Sequence, residues 1–139
     1  MDLKVFNSPA GPVMDWGAGP RRCAVGPAGI GANKKEGDGK TPIGAFKLRE
    51  VFWRADRVEK PATGLPIRAL VPEDGWCDFP SDPNYNKLVK HPYPVSAEHL
   101  WLDSHVYDII AVVGFNDDPV VPGAGGWPPR LSQVLSPRW

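Results

Sequence analysis

The sequence is poor in sulfur and has no long apolar run. Cys23 and Cys77 are the only cysteines among 139 residues, which excludes a disulfide framework. Their spacing leaves open whether they pair, and we favour two unpaired, partly buried thiols. No apolar stretch reaches the roughly 18 residues that a membrane-spanning helix needs, so we expect no membrane span.

An excess of charge of one sign is also missing. The 16 basic residues balance the 16 acidic ones, and the pI is near 6.8. Such a chain has no basic surface to recruit nucleic acid, so we expect no nucleic-acid partner. The N-terminal stretch "MDLKVFNSPAGP" lacks the basic and apolar regions of a signal peptide, which predicts a cytoplasmic location for the chain as written.

Uninterrupted helical stretches are scarce as well. The 15 glycines and 17 prolines break almost every window of a dozen residues, and both residue types disfavour helix interiors. Apolar residues still make up 42% of the chain, and its length suits one domain with a core. We therefore predict a mainly β fold, a sandwich or barrel of short strands with long loops and one short helical turn.

The strand pattern begins with a hairpin. Residues Met1 to Phe6 and Val13 to Trp16 flank the turn cluster "NSPAGP", which favours two paired strands. Arg21 to Gly26 is a third strand candidate. Further along, residues 46–49 alternate apolar with basic side chains, as in a half-buried strand, and residues 65–71 present one apolar face if extended.

The second half of the chain mixes loop and strand signals. Residues 72–86, "PEDGWCDFPSDPNYN", have loop composition throughout. The stretch "SAEHLW" favours one helical turn with Ser96 as its N-cap. Residues Val106 to Phe115, "VYDIIAVVGF", form a near-continuous apolar run rich in β-branched side chains, which predicts a central strand buried on both faces.

The glycine-rich stretch "GDGKT" at residues 37–41 does not predict a phosphate-binding loop. Such a loop needs a glycine five residues before the Gly of Gly-Lys-Thr, and Lys34 stands there. Pro42 follows where a phosphate-binding helix would begin. We therefore expect no nucleotide cofactor at this motif.

The histidines give no metal signature. His91, His99 and His105 match neither a helical pair of ligands nor a zinc finger, so we expect no metal and no other cofactor. His105 directly precedes the predicted central strand, a position where a catalytic imidazole could stand. An ordinary loop histidine fits the same position.

Neither cysteine has the surroundings of a nucleophile. Cys77 adjoins Asp78, and an adjacent carboxylate raises the pKa of a thiol, which opposes formation of the thiolate. Cys23 follows two arginines but lies inside a predicted strand. We therefore predict that neither thiol is activated.

A polar loop, "GFNDDPVVPG", follows the predicted central strand at residues 114–123. Loops in that position often line binding sites, so Asn116 and Asp117 are our candidate substrate-binding residues. Asn-Asp-Asp-Pro is equally a strong turn signal, and plain turn chemistry stays open as the alternative.

The block "GDGKTPIGAF" resembles the G-D-G-x-T-P-x-G-x-F pattern of the L,D-transpeptidase catalytic domain, also called the YkuD-like domain. Further agreement lies in "RCAVGPAGIGA", "ATGLPIRALVPEDGWCDFPSDPNYNK", "HPYPVSAEHLW" and "YDIIAVVGFNDDPVVPGAG". The resemblance spans roughly Cys23 to Gly125, with a looser hairpin before it. We therefore expect residues 1–125 to form a YkuD-like domain and residues 126–139 to form an atypical tail.

The resemblance implies a mostly β catalytic domain that acts on bacterial peptidoglycan in the cell envelope. In this family a cysteine thiolate attacks an L,D peptide bond of a stem peptide and forms an acyl-enzyme. A nearby histidine acts as the base, and an amine of a second stem resolves the intermediate. The implied partners are therefore peptidoglycan stem peptides.

The sequence departs from the family pattern after Gly125. The family's catalytic histidine and Gly-Cys nucleophile follow the Asn/Asp loop, but residues 116–139 contain neither residue type. We therefore assign no catalytic residue and expect a domain that is incomplete at its C-terminal end and inactive. Our hypothesis is a frameshift or truncation past codon 125, which reading the other two frames would test. The alternatives are a non-catalytic peptide-binding module and a non-functional fragment.

Overall fold

In a computed structural model, residues 2–126 are described. The chain starts with an antiparallel hairpin of β1 (Lys4–Ser8) and β2 (Gly11–Asp15), to which β3 (Arg21–Arg22) adds a third strand. Ser8 Oγ donates to the Gly11 carbonyl at 2.7 Å, and Gly11 adopts a φ of 109° that only glycine accepts readily. The predicted hairpin is confirmed, whereas the third strand is shorter than predicted.

A short parallel pair, β4 (Ile30–Gly31) and β5 (Thr41–Pro42), encloses the glycine-rich loop. The buried Thr41 accepts a hydrogen bond at Oγ1 from the Gly26 N–H, at 2.8 Å. A Cβ at Gly26 would lie 2.2 Å from the Gly39 carbonyl oxygen, so glycine is required for this close approach. The "GDGKT" motif therefore packs against the backbone of residues 26–28.

A second sheet is built on β6 (Leu48–Trp53), which pairs in parallel with β7 (Ile67–Ala69). Val51 and Phe52 are consecutive in β6, and both are buried. Consecutive buried residues are typical of a strand covered on both faces. β6 is therefore the interior strand that β7 and a later strand flank.

The alternation predicted at the start of β6 is wrong. Phe46 and Leu48 are 36% and 39% exposed, although Phe46 contacts Phe115 edge-on with 5.4 Å between ring centroids. β7 pairs with β6 only from Val51 onward. Burial therefore begins where the second neighbouring strand begins, not where the apolar pattern begins.

The third sheet has β8 (Asp74–Cys77) at its centre, antiparallel to both β9 (Leu88–Lys90) and β10 (Ala97–His99). All four residues of β8 are buried. The prediction of loop structure throughout residues 72–86 is therefore wrong. Trp76 is the large apolar residue that this strand buries, and the turn-forming Pro, Asp and Gly residues around it led to the prediction of a loop.

The helical turn predicted at "SAEHLW" is also wrong. Residues Ala97–His99 pair with residues 75–77 of β8, and Ser96 Oγ donates to Asp78 Oδ1 at 2.5 Å instead of capping a helix. Strand pairing thus outweighs the local N-cap signal. The one helical turn in the described part of the chain is a 3-10 turn, η1 (His105–Tyr107).

The last strand among residues 2–126, β11 (Ile109–Val113), pairs antiparallel with β6, which gives the second sheet the order β11-β6-β7. Ile110 and Val112 are buried, while the other three residues are half-buried. Among residues 2–126, β11 therefore lies at the edge of its sheet. The prediction of a central strand over Val106 to Phe115 is right about the strand and wrong about its length and position.

The apolar core joins the second and third sheets. Phe52 and Leu100 are fully buried in it, and burying one such side chain stabilises a fold by about 1.5–3 kcal/mol. The predicted mainly β fold is confirmed, while the predicted tail lies outside the described residues beyond Gly126. The core cluster consists of Phe52, Leu70, Trp76, Leu100, Tyr107, Ile110 and Val112.

Candidate functional site

A cleft of about 240 Å³ lies between strands of the second and third sheets and the chain that follows β11. This volume lies below the roughly 300–1,000 Å³ of pockets for drug-sized ligands, so the cleft is small. Apolar walls with a few polar groups are typical of ligand sites. The lining residues are Arg49, Glu50, Trp76, Asn86, Val112, Val113, Phe115, Asp117 and Gly126.

An ion pair lies on the cleft wall. Arg49 donates from Nε and Nη2 to the two carboxylate oxygens of Asp117, at 2.9 and 3.1 Å, and this hydrogen bonding raises the pKa of Arg49. The side chains are 42% and 32% exposed. A Cβ at Gly114 would lie 2.6 Å from Arg49 Nε, so the glycine lets the guanidinium lie against the chain.

Asn86 connects the third sheet to the exit of β11. Its Oδ1 accepts from Trp76 Nε1 at 3.0 Å, and its Nδ2 donates to the carbonyls of Phe115 and Asn116 at 3.1 and 2.7 Å. Asn86 is buried and has a φ of 59°. A Cβ at Gly126 would lie 2.7 Å from Asn86 Oδ1, so the chain crosses this side chain closely as it leaves the loop.

Asn116 closes the loop after β11. Its Nδ2 donates to the carbonyls of Val121 and Gly125 at 2.9 and 2.7 Å, and its Oδ1 accepts from the Val121 N–H at 2.7 Å. Of the two residues predicted to bind substrate, Asp117 therefore lines the cleft, whereas the Asn116 amide is engaged by its own loop. The turn alternative describes what the Asn116 side chain does.

The glycine-rich loop is organised by Asp38. Its carboxylate accepts from Lys34 Nζ at 2.7 Å and from the backbone N–H groups of Lys35 and Lys40 at 2.8 and 2.9 Å. The Lys34 bond and then the Lys35 bond lower the pKa of Asp38 most. The aspartate of the "GDG" motif is therefore an ionised centre that folds its loop.

This glycine-rich loop supports the loop that walls the cleft. The Glu36 N–H donates to the Gly123 carbonyl at 2.9 Å, and Tyr85 Oη donates to Glu36 Oε2. Burial and the Glu36 carboxylate raise the pKa of Tyr85, which keeps its hydroxyl a donor. A Cβ at Gly125 would lie 2.8 Å from Lys34 Cγ. The two loops thus form one packed unit.

The two thiols lie outside the cleft. Cys77 is fully buried and Cys23 half-buried, and both are free. Burial raises the pKa of Cys77 most, and the carboxylates of Asp82 and Asp78 raise it further. Burial also raises the pKa of Cys23. The predicted direction of the effect of Asp78 on the pKa of Cys77 agrees with this, but burial is the largest cause.

The three histidines also lie outside the cleft lining. The His105 side chain is 75% exposed, and its Nδ1 lies 2.7 Å from Asp108 Oδ2. His91 and His99 stack with 3.6 Å between ring centroids and line a shallow depression beside Tyr93. The imidazoles of the described region are therefore placed away from the candidate site.

Residues 2–126 lack two features, a cluster of potential metal ligands and a helix that could span a membrane. No group of three or more His, Cys, Asp or Glu side chains in that range could hold a metal ion. No helix in the same range is long and apolar enough to cross a bilayer. The side chains that line the cleft offer ionic, hydrogen-bonding and apolar contacts.

Sequence reasoning missed several lining residues. Arg49 reads only as the polar face of a strand, and Trp76 lies in a segment with loop composition. Asn86 gave a usable signal, because an asparagine after a polar turn is a common residue at positive φ. The two carbonyls to which it donates, however, lie about 30 residues further along the chain.

The comparison with protein families identifies the YkuD family, the L,D-transpeptidase catalytic domain, whose model matches residues 10–125. The match includes the glycine-rich loop, all strands from β4 to β11 and the Asn/Asp loop. No curated protein and no solved structure matches the chain. The resemblance carried by "GDGKTPIGAF" is therefore confirmed at the level of the family.

Proposed function

Because the chain belongs to the L,D-transpeptidase catalytic-domain family, we propose that residues 10–125 build a binding site for peptidoglycan stem peptides. The observation that supports this most is the position of the cleft. All but one of its lining residues fall within the matched range, and its outer wall is the loop that the family's glycine motif supports.

The cleft suits the end of a peptide. Val112 and Val113 provide apolar surface for small side chains such as the methyl group of alanine, and Arg49 and Asp117 provide charge. Asn86 and Asn116 hold the loop that forms one wall of the cleft, since their amides donate to its backbone carbonyls. The ligand is therefore held by a wall that is formed before it binds.

We further propose that these 139 residues bind the peptide without turning it over. Acyl transfer in the family needs a thiolate and a base next to the scissile bond. Cys23 and Cys77 are the only thiols in the sequence, neither lines the cleft, and burial raises the pKa of both. The histidines likewise lie outside the cleft lining.

Calorimetric titration of a stem tetrapeptide into the purified protein tests the binding site. Val113→Phe fills the cleft, and we expect it to weaken binding at least tenfold. Val71→Phe makes the same change at a residue that is 36% exposed and outside the cleft, and we expect wild-type binding. Equal binding by the two variants would contradict the proposed site.

Chromatography of the same mixtures tests the absence of turnover. We expect the tetrapeptide to stay intact with the wild type, whether or not an amine acceptor is added. Release of the terminal D-alanine that iodoacetamide suppresses would overturn this part of the proposal. Cys23→Ser and Cys77→Ser would then identify the thiol responsible.

A further inference from the structure

We infer that Arg49 is the carboxylate-binding residue of the cleft and that the peptide enters with its free C-terminal carboxylate toward it. This inference rests on the proposed function, because it names the part of the peptide that the cleft recognises. The cleft volume of about 240 Å³ favours a chain end over an extended peptide that passes through.

The geometry of the guanidinium supports this assignment. Asp117 accepts hydrogen bonds from Nε and Nη2 of Arg49. The remaining nitrogen, Nη1, has no hydrogen-bond partner among residues 2–126. An arginine offers a second pair of parallel N–H groups at its Nη1 and Nη2 end, and this pair matches a carboxylate. Asp117 is thus a positioning residue that orients Arg49.

The backbone beside Arg49 also fixes its orientation. A Cβ at Gly114 would lie 2.6 Å from Arg49 Nε and 3.0 Å from its Cζ. The guanidinium therefore lies close against Gly114, with Asp117 bonded to its Nε and Nη2 edge. A side chain held in this way loses little conformational freedom when a ligand binds.

The surrounding charge narrows the class of ligand. Arg49 is the only cation among the described residues that line the cleft, and Glu50 and Asp117 line the same cleft. Asp118 is close enough to raise the pKa of Arg49 further. These carboxylates weigh more heavily against a multiply charged anion such as a phosphate than against a single carboxylate bound at Arg49. The rest of the ligand is neutral or positively charged.

A pair of dipeptides tests the inference. The probes are Nα-acetyl-L-lysyl-D-alanine and its C-terminal amide, which differ only at the C-terminal group, a carboxylate in one and a neutral amide in the other. We expect the acid to bind the wild type on the order of tenfold more tightly, as hydrogen bonds to a charged group are worth that much. Arg49→Ala should remove the preference, and Arg49→Lys should retain only part of it.

Two further variants keep the test informative. Arg22→Ala removes an exposed arginine on the hairpin and should keep the full preference. Gly114→Ala keeps the charge of Arg49 but displaces its guanidinium, so it should lose the preference if it stays folded by circular dichroism. If Gly114→Ala does not fold, Arg49→Ala still tests the role of the guanidinium.

The outcomes separate the inference from the proposed function. Equal binding of acid and amide by the wild type, with the stem tetrapeptide still sensitive to Val113→Phe, would overturn the role of Arg49 alone. A preference that survives Arg49→Ala would also overturn it. Failure of the tetrapeptide to bind would overturn both the proposed function and the inference.

Discussion

Two regions of the molecule meet along β11 and are held by different interactions. On one side, Ile110 and Val112 pack into the apolar core with Phe52 and Leu100. On the other side, the chain from Asn116 to Gly126 is held by side-chain amides and backbone hydrogen bonds. Apolar packing is non-directional, whereas each of these hydrogen bonds requires one geometry. The core thus supplies stability and part of the cleft lining, and the polar region fixes the loop that closes the cleft.

The largest expected effect is on the core side. Phe52→Ala should destabilise the protein by about 3–5 kcal/mol, because it removes a large side chain and leaves a cavity. Phe79→Ala is the control, since Phe79 is 41% exposed. Urea denaturation measures both. A similar loss for the two variants would contradict the location of the core.

A smaller and local effect is expected on the polar side. Asn86→Ala removes the two hydrogen bonds from Nδ2 to loop carbonyls and the Oδ1 acceptor of the Trp76 indole N–H, and it should cost roughly 1–3 kcal/mol. Hydrogen exchange should speed up mainly at residues 115–126. Asn84→Ala is the control, because Asn84 is exposed and its side chain bonds to Tyr93. An acceleration spread evenly over the core strands would remove the distinction between the two regions.

The sequence was sufficient where local signals and final structure agree. The hairpin follows from its turn residues, and β11 follows from its β-branched run. β8 was not predictable in the same way, since Trp76 and Cys77 are surrounded by turn-forming residues and become a strand only by pairing with β9 and β10. Tertiary pairing decided that segment, not local preference.

The cleft shows the same limit. Asp117 could be proposed because it follows an apolar strand, but its partner Arg49 is 68 residues away. The link between Asn86 and the carbonyl of Asn116 spans 30 residues. Such pairs depend on how the strands are arranged, which a single sequence does not reveal. The family motif, in contrast, could be recognised in the sequence, because its glycines and Asp38 make their contacts within one loop.

Low pH should weaken the ion pairs of Asp74 with Lys90 and Arg68, and the pair with Arg68 connects the second and third sheets. Burial alone would raise the pKa of Asp74, but hydrogen bonds from Lys90 and the Val71 N–H, with Arg68 nearby, lower it on balance. A lowered folded-state pKa contributes stability above the unfolded value of about 4, and this stability is lost as the pH falls through the folded value. Asp74→Asn should therefore flatten the acid limb of the stability curve measured between pH 7 and pH 2.

The acid effect should be smaller than the loss caused by Asn86→Ala, because Lys90 and Arg68 are partly exposed. A curve for Asp74→Asn that runs parallel to the wild-type curve would show that another carboxylate governs acid sensitivity.

The smallest effect concerns thiol reactivity, with no change in stability. Cys77 is fully buried beside the core, and Cys23 is half-buried, so a thiol reagent should label Cys23 first in the native protein. Cys77 should react only after unfolding. Measurement with Cys23→Ser and Cys77→Ser separates the two rates, and equally fast labelling would contradict the closed packing around β8.

The most direct test of peptide binding without turnover is a single nuclear magnetic resonance sample of the ¹⁵N-labelled protein with a stem tetrapeptide. We expect amide shifts at Val112, Val113, Phe115 and Asp117, and an unchanged peptide after prolonged incubation. Shifts confined to another face, or a product whose formation iodoacetamide suppresses, would contradict it.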